Sequence, residues 1–253
     1  MSFTNKVAIV TGAGQGIGYQ ICFQLVSQGA KVLLNDMDKT LAVSAAGRIK
    51  KETKGDCIAF AGDSSDIDFI HSMVNEAVSR FGHLDIVIAN AGITLFGDFF
   101  TYKPESFTRV MQVNLAGTFF LAQAAANQMK QQEGGGSLLF TSSVTGHQAH
   151  KDLAAYGMSK AALEMLAKNL VIELSRFRIN VNSIAPGATI TERTSNDPAY
   201  RDTWSKLTPM GRPAEVSDIA NTALFLVSEQ AKHITGQTII VDGGWTCISP
   251  SPF

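Results

Sequence analysis

Short apolar runs rich in Val and Ile recur along the chain at regular intervals. Near-continuous apolarity is typical of strands that are buried on both faces, as in parallel sheets. The segments between them, such as IGYQICFQLVSQG, DFIHSMVNEAVSRFG and AALEMLAKNLVIEL, have the length and period of helices. This alternation predicts an α/β fold with a doubly wound parallel sheet of about seven strands and helices on both faces. The seven runs are KVAIVT (6–11), KVLLND (31–36), CIAFAG (57–62), LDIVIAN (84–90), SLLFTS (137–142), INVNSI (179–184) and QTIIVD (237–242).

Two of the loops that connect predicted strands and helices are longer than the others. Residues 146–153 lead from the fifth run into a helix, and residues 188–212 precede the last helix and contain several proline turn signals. Long loops in compact domains are usually lids or binding loops, so we expect 188–212 to form a substrate loop. A chain of 253 residues with 45% apolar residues suits one hydrophobic core, and we expect a single domain over 1–253.

The charge distribution narrows the class of partner. The net charge is −1, and the 21 basic and 22 acidic residues are interspersed. We therefore expect neither a nucleic-acid partner nor a membrane surface, but a small molecule.

The number of cysteines and the N-terminal residues indicate where in the cell the protein is expected. Cys22, Cys57 and Cys247 are far apart and odd in number, which predicts free thiols rather than a disulfide framework or a zinc site. The first residues, MSFTNKVAIVTGAG, do not resemble a signal peptide, and no segment is apolar for long enough to span a membrane. We expect a soluble, cytoplasmic protein.

A glycine-rich stretch, TGAGQGIG (11–18), follows the first strand and runs directly into a helix. Exposed backbone N–H groups at such a helix start can bind a pyrophosphate. The common G-x-G-x-x-G spacing fails, because it would place Ile17 or Tyr19 at the third glycine. The spacing that fits is T-G-x-x-x-G-x-G. It favours nucleotide binding, with an ordinary tight turn as the alternative.

An acid at the end of the second strand bears on which nucleotide is bound. Asp36 lies where a carboxylate accepts hydrogen bonds from an adenosine ribose, and it would repel a 2′-phosphate. Neither Gln15, Asn35 nor Met37 offers a positive charge, so NAD is favoured over NADP. The alternative is that Asp36 serves only as a helix N-cap or turn acid.

The stretch YGMSK puts Tyr156 and Lys160 four residues apart, on one face of a predicted helix. Hydride leaves a carbinol carbon readily only if its hydroxyl proton is removed, which calls for a general base. A free tyrosine is a poor base near neutral pH. A neighbouring ammonium favours the phenolate and so makes this chemistry feasible. Because the spacing arises readily by chance, it is a hypothesis that other residues must support.

Further motifs follow in a characteristic order. ANAG (89–92) resembles an N-N-A-G segment with Ala89 in place of its first Asn. VNLAG contains Asn114, Ser143 precedes Tyr156 by thirteen residues, and APG (185–187) is followed by Thr191. Together with T-G-x-x-x-G-x-G and YGMSK, these motifs resemble the classical short-chain dehydrogenase/reductase family over nearly the whole chain. Singly, Asn114 could be a helix-bending polar residue, Ser143 a turn residue and Pro186 a strand terminator.

The resemblance implies a Rossmann-type fold and assigns roles to residues. It implies that Tyr156 is the acid/base, that Lys160 supports the phenolate, that Ser143 orients the substrate oxygen and that Asn114 anchors a relay water. It implies NAD as cofactor, held by Gly12, Gly14, Gln15, Gly16, Ile17, Gly18, Asp36, Asp63, Ser64, Asn90, Gly92, Tyr156, Lys160, Pro186, Gly187, Thr189 and Thr191.

Some features depart from the family pattern or are weaker signals. Arg178 replaces a glycine that usually ends a helix in the left-handed conformation. His147 and His150 have an i, i+3 spacing, but no nearby acid or cysteine completes a ligand set, so no metal is expected. Trp204 and Thr189 are candidate lid residues. The candidate pocket wall comprises Thr94, Val144, Thr145 and Leu153.

The leading interpretation is an NAD-dependent oxidoreductase acting on a secondary alcohol or ketone, such as a sugar or polyol. One alternative is a 3-oxoacyl thioester (acyl carrier protein) reductase, which in this family usually uses NADPH. A second is a non-catalytic nucleotide-binding scaffold, since fold does not establish function. Family members commonly pair the YGMSK helix in tetramers, so a homotetramer is expected. The tail after Asp242, GGWTCISPSPF, is a candidate for an interface between subunits.

Overall fold

A computed structural model describes residues 2–249, and the last aromatic residue of the tail, Phe253, lies outside this range. Seven parallel strands form one sheet in the order β3-β2-β1-β4-β5-β6-β9. This confirms the predicted doubly wound sheet, and each strand coincides with one of the seven apolar runs. The strands are β1 (Val7–Val10), β2 (Lys31–Leu34), β3 (Cys57–Ala59), β4 (Ile86–Ala89), β5 (Gly136–Thr141), β6 (Ile179–Pro186) and β9 (Thr238–Val241).

Helices cover both faces of this sheet. On one face, α1, α2 and α8 bury aliphatic residues such as Ile21, Ile49 and Leu224. On the other face, α3, α5 and α6 bury residues such as Met73 and Leu121. Burial of these apolar surfaces is the main favourable contribution to folding. The helices are α1 (Gly16–Ser27), α2 (Lys39–Thr53), α3 (Ile67–Phe81), α4 (Pro104–Val110), α5 (Gly117–Met129), α6 (Ala154–Leu174), α7 (Tyr200–Leu207) and α8 (Val216–Val227).

The predicted substrate loop has its own structure. After β6, the short strands β7 (Thr189–Ile190) and β8 (Ala214–Glu215) pair in parallel, and α7 lies between them. Residues 188–215 therefore form a folded lid and extend three residues past the predicted end. Amphipathic helices this short are stabilised mainly by packing, which explains why local sequence signals did not reveal α7.

Topology divides the loops at the carboxyl edge of the sheet into two groups. The chain order reverses between β1 and β4, which is the position where open α/β sheets bind ligands. Loops after β1 to β4 lie on one side of this point. Loops after β5, β6 and β9, namely 142–153, the lid and the tail from Asp242, leave neighbouring strands on the other side. Within residues 2–249, no helix is both long and apolar enough to cross a membrane.

Candidate active site

A cavity of about 500 Å³ opens at the carboxyl edge of the sheet. It brings together residues from every motif that the sequence analysis singled out. Two predicted site residues, Gly14 and Asn114, do not line it. The predicted residues that do line it are Gly12, Gln15, Gly16, Ile17, Gly18, Asp36, Asp63, Ser64, Asn90, Gly92, Ser143, Tyr156, Lys160, Pro186, Gly187, Thr189 and Thr191.

The glycine-rich loop is held against the end of β4. Gly12 has φ +59°, and a side-chain carbon there would lie 2.8 Å from Ala91 Cα, so only glycine fits this turn. Asn90 Nδ2 donates hydrogen bonds to the carbonyl oxygens of Thr11 and Gly12 at 3.0 and 2.9 Å. Asn90 thereby supports the strand end and the loop, as the family pattern implies.

The start of α1 is suited to an anion. The N-cap residue Gln15 makes no side-chain hydrogen bond to the helix, and no acid occupies the first turn. By contrast, Asp38 caps α2 and Asp66 caps α3. Uncapped N–H groups together with the positive end of the helix dipole fit the pyrophosphate of a dinucleotide.

Asp36 is hydrogen-bonded within the turn and also lines the cavity. Its Oδ2 accepts a hydrogen bond from the N–H of Gly14 at 2.9 Å, and its Oδ1 accepts one from Asp38 at 3.0 Å. The carboxylate is therefore a turn acid that also lines the cavity. Each oxygen keeps further acceptor capacity, which fits ribose hydroxyls. Gly14 lies behind this carboxylate, so it positions Asp36 instead of facing the cavity.

A cation reaches the same end of the cavity from a distant part of the chain. Arg109, on α4, places both terminal nitrogens 3.3 Å from Asp63 Oδ2 and one of them 3.9 Å from Met37 Sδ. Burial alone would raise the pKa of Asp63, but hydrogen bonds from Ser65 and the Arg109 guanidinium lower it. Sequence reasoning missed Arg109, because no local motif marks a residue that arrives through tertiary packing.

The Lys160 ammonium is buried in the wall of the cavity. It donates a hydrogen bond to the Thr141 carbonyl at 2.7 Å and lies 5.5 Å from the centre of the Tyr156 ring. Burial lowers the pKa of Lys160, and the neighbouring Tyr156 phenol partly offsets this. An ammonium this close to the phenol favours its ionised form.

Ser143 begins the short turn after β5. Its Oγ accepts a hydrogen bond from the N–H of Thr145 at 3.2 Å, which leaves the hydroxyl hydrogen to donate to a substrate oxygen. Thr94 of the predicted pocket wall lines the cavity. Val144, Thr145 and Leu153 do not line it, although they belong to the same side of the site.

Asn114 lies behind the cavity wall, in a π-helical turn (Met111–Ala116) between α4 and α5. Its Oδ1 accepts from Ile93 N at 2.8 Å, and its Nδ2 donates to Ile93 O and to Ser159 Oγ. The side-chain amide holds the chain after β4, and the role of Asn114 in anchoring a relay water stays a prediction. Its backbone carbonyl accepts a hydrogen bond from the Thr118 hydroxyl at 2.9 Å.

The two histidines before α6 contact different parts of the structure. His147 Nε2 lies 2.9 Å from Glu164 Oε1 on α6, and the same oxygen accepts a hydrogen bond from Ser142 at 2.6 Å. His150 instead stacks on Trp245 of the tail. Among the described residues, no cluster of His, Cys, Asp or Glu could hold a metal ion.

Arg178 adopts the backbone conformation of the glycine that it replaces in the family pattern. It ends the turn after α6 with φ 59° and ψ 34°, the left-handed conformation that glycine usually supplies. The turn into β6 therefore keeps the left-handed conformation at the cost of backbone strain in an exposed arginine.

Comparisons with known proteins agree with this geometry. Residues 12–246 match the family model described as enoyl-(acyl carrier protein) reductase. The 3α-hydroxysteroid dehydrogenase of Mediterraneibacter gnavus is 36% identical over 96% of this chain and 98% of its own length. The 3-oxoacyl-[acyl-carrier-protein] reductase of Staphylococcus aureus is 36% identical over 94% of this chain and 97% of its own length.

A solved structure extends the likeness to the whole fold. The short-chain type dehydrogenase/reductase from Mycobacterium marinum superposes with a TM-score of 0.92 and 30% identity, covering 98% of both chains. Family model, relatives and structure point the same way as the motifs. The chain belongs to the short-chain dehydrogenase/reductase family of oxidoreductases, which use nicotinamide cofactors.

Proposed function

We propose that this protein is an NAD(H)-dependent oxidoreductase that interconverts a secondary alcohol and a ketone on a small molecule. The observation that carries the proposal is the convergence of Ser143, Tyr156 and the buried Lys160 in one cavity beside an uncapped helix start. A bound nicotinamide would accept or supply the hydride. The family includes proteins acting on very different alcohols, so the substrate class rests on this chain's own wall residues.

The proposed roles follow from the contacts. Tyr156 exchanges the proton of the substrate hydroxyl, acting as general base in oxidation and as general acid in reduction. Lys160 favours the phenolate, with its ammonium held by Thr141. Ser143 donates a hydrogen bond to the reacting oxygen and so orients it. Asn114 is proposed to anchor a water in the proton path, as the family resemblance implies, while its side chain holds the backbone of Ile93.

The preference for NAD is supported by Asp36. Its carboxylate lines the cavity and is held by two backbone N–H groups, so it would oppose a 2′-phosphate. Arg109, which lines the same cavity, is engaged by Asp63. Gly12 to Gly18, Asn90, and the segment from Pro186 to Thr191 are proposed to hold the remaining parts of the dinucleotide.

A second candidate is a 3-oxoacyl thioester reductase. The Staphylococcus aureus relative and the description of the matching family model favour it. Asp36 opposes it in so far as that activity relies on NADPH. A non-catalytic scaffold is disfavoured, because Ser143, Tyr156 and Lys160 are all present in one cavity.

The test is turnover by the purified protein with a panel of sugars, diols, hydroxy acids, sterols and 3-oxoacyl thioesters, followed by NADH absorbance. Tyr156→Phe should abolish turnover while leaving NADH binding, measured by fluorescence titration, nearly unchanged. Appreciable residual turnover in this variant would refute the assignment. If the unmodified protein turned over no compound of the panel, the non-catalytic nucleotide-binding scaffold would be favoured.

Association into a homotetramer is part of the proposal. Met158, Met165 and Ile172 are exposed and seven residues apart, so they form one apolar stripe along α6. Ile239 and Ile240 are exposed on the edge strand β9. Such patches mark protein interfaces. Sedimentation as a monomer at micromolar concentration would contradict association. A cytoplasmic location is proposed from the three free cysteines.

A further inference from the structure

The order of strands in the sheet matches the order of chemical groups along a dinucleotide. The helix that carries Tyr156 follows β5, the glycine-rich loop follows β1, Asp36 follows β2, and Asp63 follows the edge strand β3. Residues from each of these segments line one cavity. With the nicotinamide beside Tyr156 and the pyrophosphate at the start of α1, the second ribose falls to Asp36 and the purine base to Asp63. The residues near Asp63 are therefore the candidates for recognising the base.

The Asp63 carboxylate is fully occupied by donors of this chain. Its Oδ1 accepts hydrogen bonds from the N–H and the hydroxyl of Ser65 at 2.9 and 2.7 Å. Its Oδ2 accepts from both terminal nitrogens of Arg109, each at 3.3 Å. An ionised carboxylate accepts about four hydrogen bonds, so Asp63 has no capacity left for the amino group of an adenine.

An adenine amino group is a weaker donor than the guanidinium that it would have to displace. Hydrogen bonds from a charged donor are roughly twice as strong as those from a neutral donor, and Arg109 supplies two of them. Water weakens the pair, since 38% of the Arg109 side chain and 33% of the Asp63 side chain are exposed. Water competes for an amino group in the same place as well. The ion pair is therefore expected to persist when a base is present.

Arg109 itself keeps donors for a ligand. A guanidinium has five N–H groups. Within residues 2–249, the hydrogen bonds of Arg109 involve only its two terminal nitrogens, so its Nε–H has no partner there. The side chain lines the cavity together with Asp63 and Met37, whose Sδ lies 3.9 Å from one terminal nitrogen. This end of the cavity therefore offers N–H donors, where a free carboxylate would offer acceptors.

We propose, on the basis of the NAD(H)-dependent function above, that Arg109 and not Asp63 makes the polar contact to the purine base. The guanidinium donates to an acceptor atom of the base, and Asp63 is a positioning residue that holds the guanidinium at the cavity. A purine with a 6-oxo group brings a carbonyl acceptor to these donors, whereas adenine brings a 6-amino donor. The protein therefore binds nicotinamide hypoxanthine dinucleotide at least as tightly as the adenine dinucleotide.

The reduced forms of these two dinucleotides differ only in the purine and share one fluorescent dihydronicotinamide, so fluorescence titration compares them directly. For the unmodified protein, the dissociation constant of the hypoxanthine form divided by that of NADH should be about one or lower. Arg109→Met removes the donors and leaves the Asp63 carboxylate without its cation. The ratio should then rise about tenfold, because a carboxylate attracts the amino group and repels the carbonyl. Arg80→Met, exposed on α3, is the matched control and should leave the ratio unchanged.

A second variant keeps the test independent of a folding defect at Arg109. Asp63→Asn removes the carboxylate and keeps the Arg109 donors, so the ratio should stay near one. A selective loss of NADH binding in Asp63→Asn would instead assign the base contact to Asp63 and overturn the proposal.

Three further outcomes would also decide the matter. A preference of the unmodified protein for NADH by about tenfold, or an unchanged ratio in Arg109→Met, would overturn the role of Arg109. A loss in Arg109→Met confined to NADPH would assign the guanidinium to a 2′-phosphate and overturn it too. Failure of the unmodified protein to bind either reduced dinucleotide would refute the NAD(H)-dependent function itself, whereas NADH binding with the wrong base preference refutes only this inference.

Discussion

Lys160 Nζ on α6 and the carbonyl oxygen of Thr141 at the end of β5 lie 2.7 Å apart in a hydrogen bond. Only 3% of the lysine surface is exposed, so its ammonium is positioned by the sheet and not by solvent. The Ser142 hydroxyl, which donates its single hydrogen to Glu164 Oε1 at 2.6 Å, also lies 3.0 Å from the Lys160 carbonyl oxygen. The helix that carries Tyr156 is thus attached to the strand end that precedes Ser143.

Substituting Gly92 should disturb this ammonium. A side-chain carbon at Gly92 would lie 3.1 Å from Lys160 Nζ and 3.4 Å from Asn114 Oδ1, so Gly92→Ala must displace one of them. We expect kcat to fall by about tenfold or more, since small displacements at a catalytic group are costly. Steady-state kinetics would measure the loss.

Gly47→Ala is the matched control for that substitution. Gly47 is exposed in the middle of α2, and an added methyl group would meet no atom within 4 Å. This variant should raise the free energy of unfolding by about 0.5–1 kcal/mol and leave kcat unchanged. Equal kinetics in Gly92→Ala and Gly47→Ala would show that Lys160 tolerates the displacement.

Removing the charge of Asp36 should weaken discrimination between the two nicotinamide cofactors. In Asp36→Asn, the ratio of kcat/KM for NAD over NADP should fall by roughly tenfold, because the repulsion of a 2′-phosphate is lost. Asp38→Asn removes the same charge two residues away and retains an N-cap side chain, so it should leave the ratio unchanged. A preference of the unmodified protein for NADP would contradict the argument.

Truncating Glu164 should loosen the turn that carries Ser143. Its Oε1 contacts both Ser142 and His147, and the residue is largely buried. Glu164→Ala should lower the free energy of unfolding by about 1–3 kcal/mol, since the buried Ser142 hydroxyl loses a partner. Glu173→Ala, exposed on the same helix, should change it by less than about 0.5 kcal/mol. Chemical denaturation would compare them, and similar midpoints would exclude a structural role for Glu164.

Arg178→Gly should stabilise the protein. The exposed arginine holds a left-handed conformation that costs a non-glycine residue about 1 kcal/mol. We expect the free energy of unfolding to rise by roughly 0.5–1 kcal/mol, with Arg178→Ala giving no such gain because it retains Cβ. A rise in thermal midpoint for both variants would point to the side chain and not the backbone.

Much of the fold and of the candidate site could be predicted because the signals are local. Buried parallel strands require continuous apolar runs, so all seven strands of the main sheet were found. The glycine-rich loop and the Tyr156–Lys160 spacing involve residues that are close together in the chain, so both could be recognised from the sequence. The lid was harder, because α7 and the paired strands β7 and β8 are short and held by packing.

The sequence by itself determined the order of strands and helices along the chain and the position of the glycine-rich loop. It also determined which residues are proposed to move a proton. Tertiary structure decided which residues from distant segments meet. It brought Arg109 to Asp63, bonded the Asn114 amide to the backbone of Ile93 and stacked Trp245 on His150. These contacts join residues far apart in the chain, and their energies depend on packing in three dimensions, which no local pattern of residues encodes.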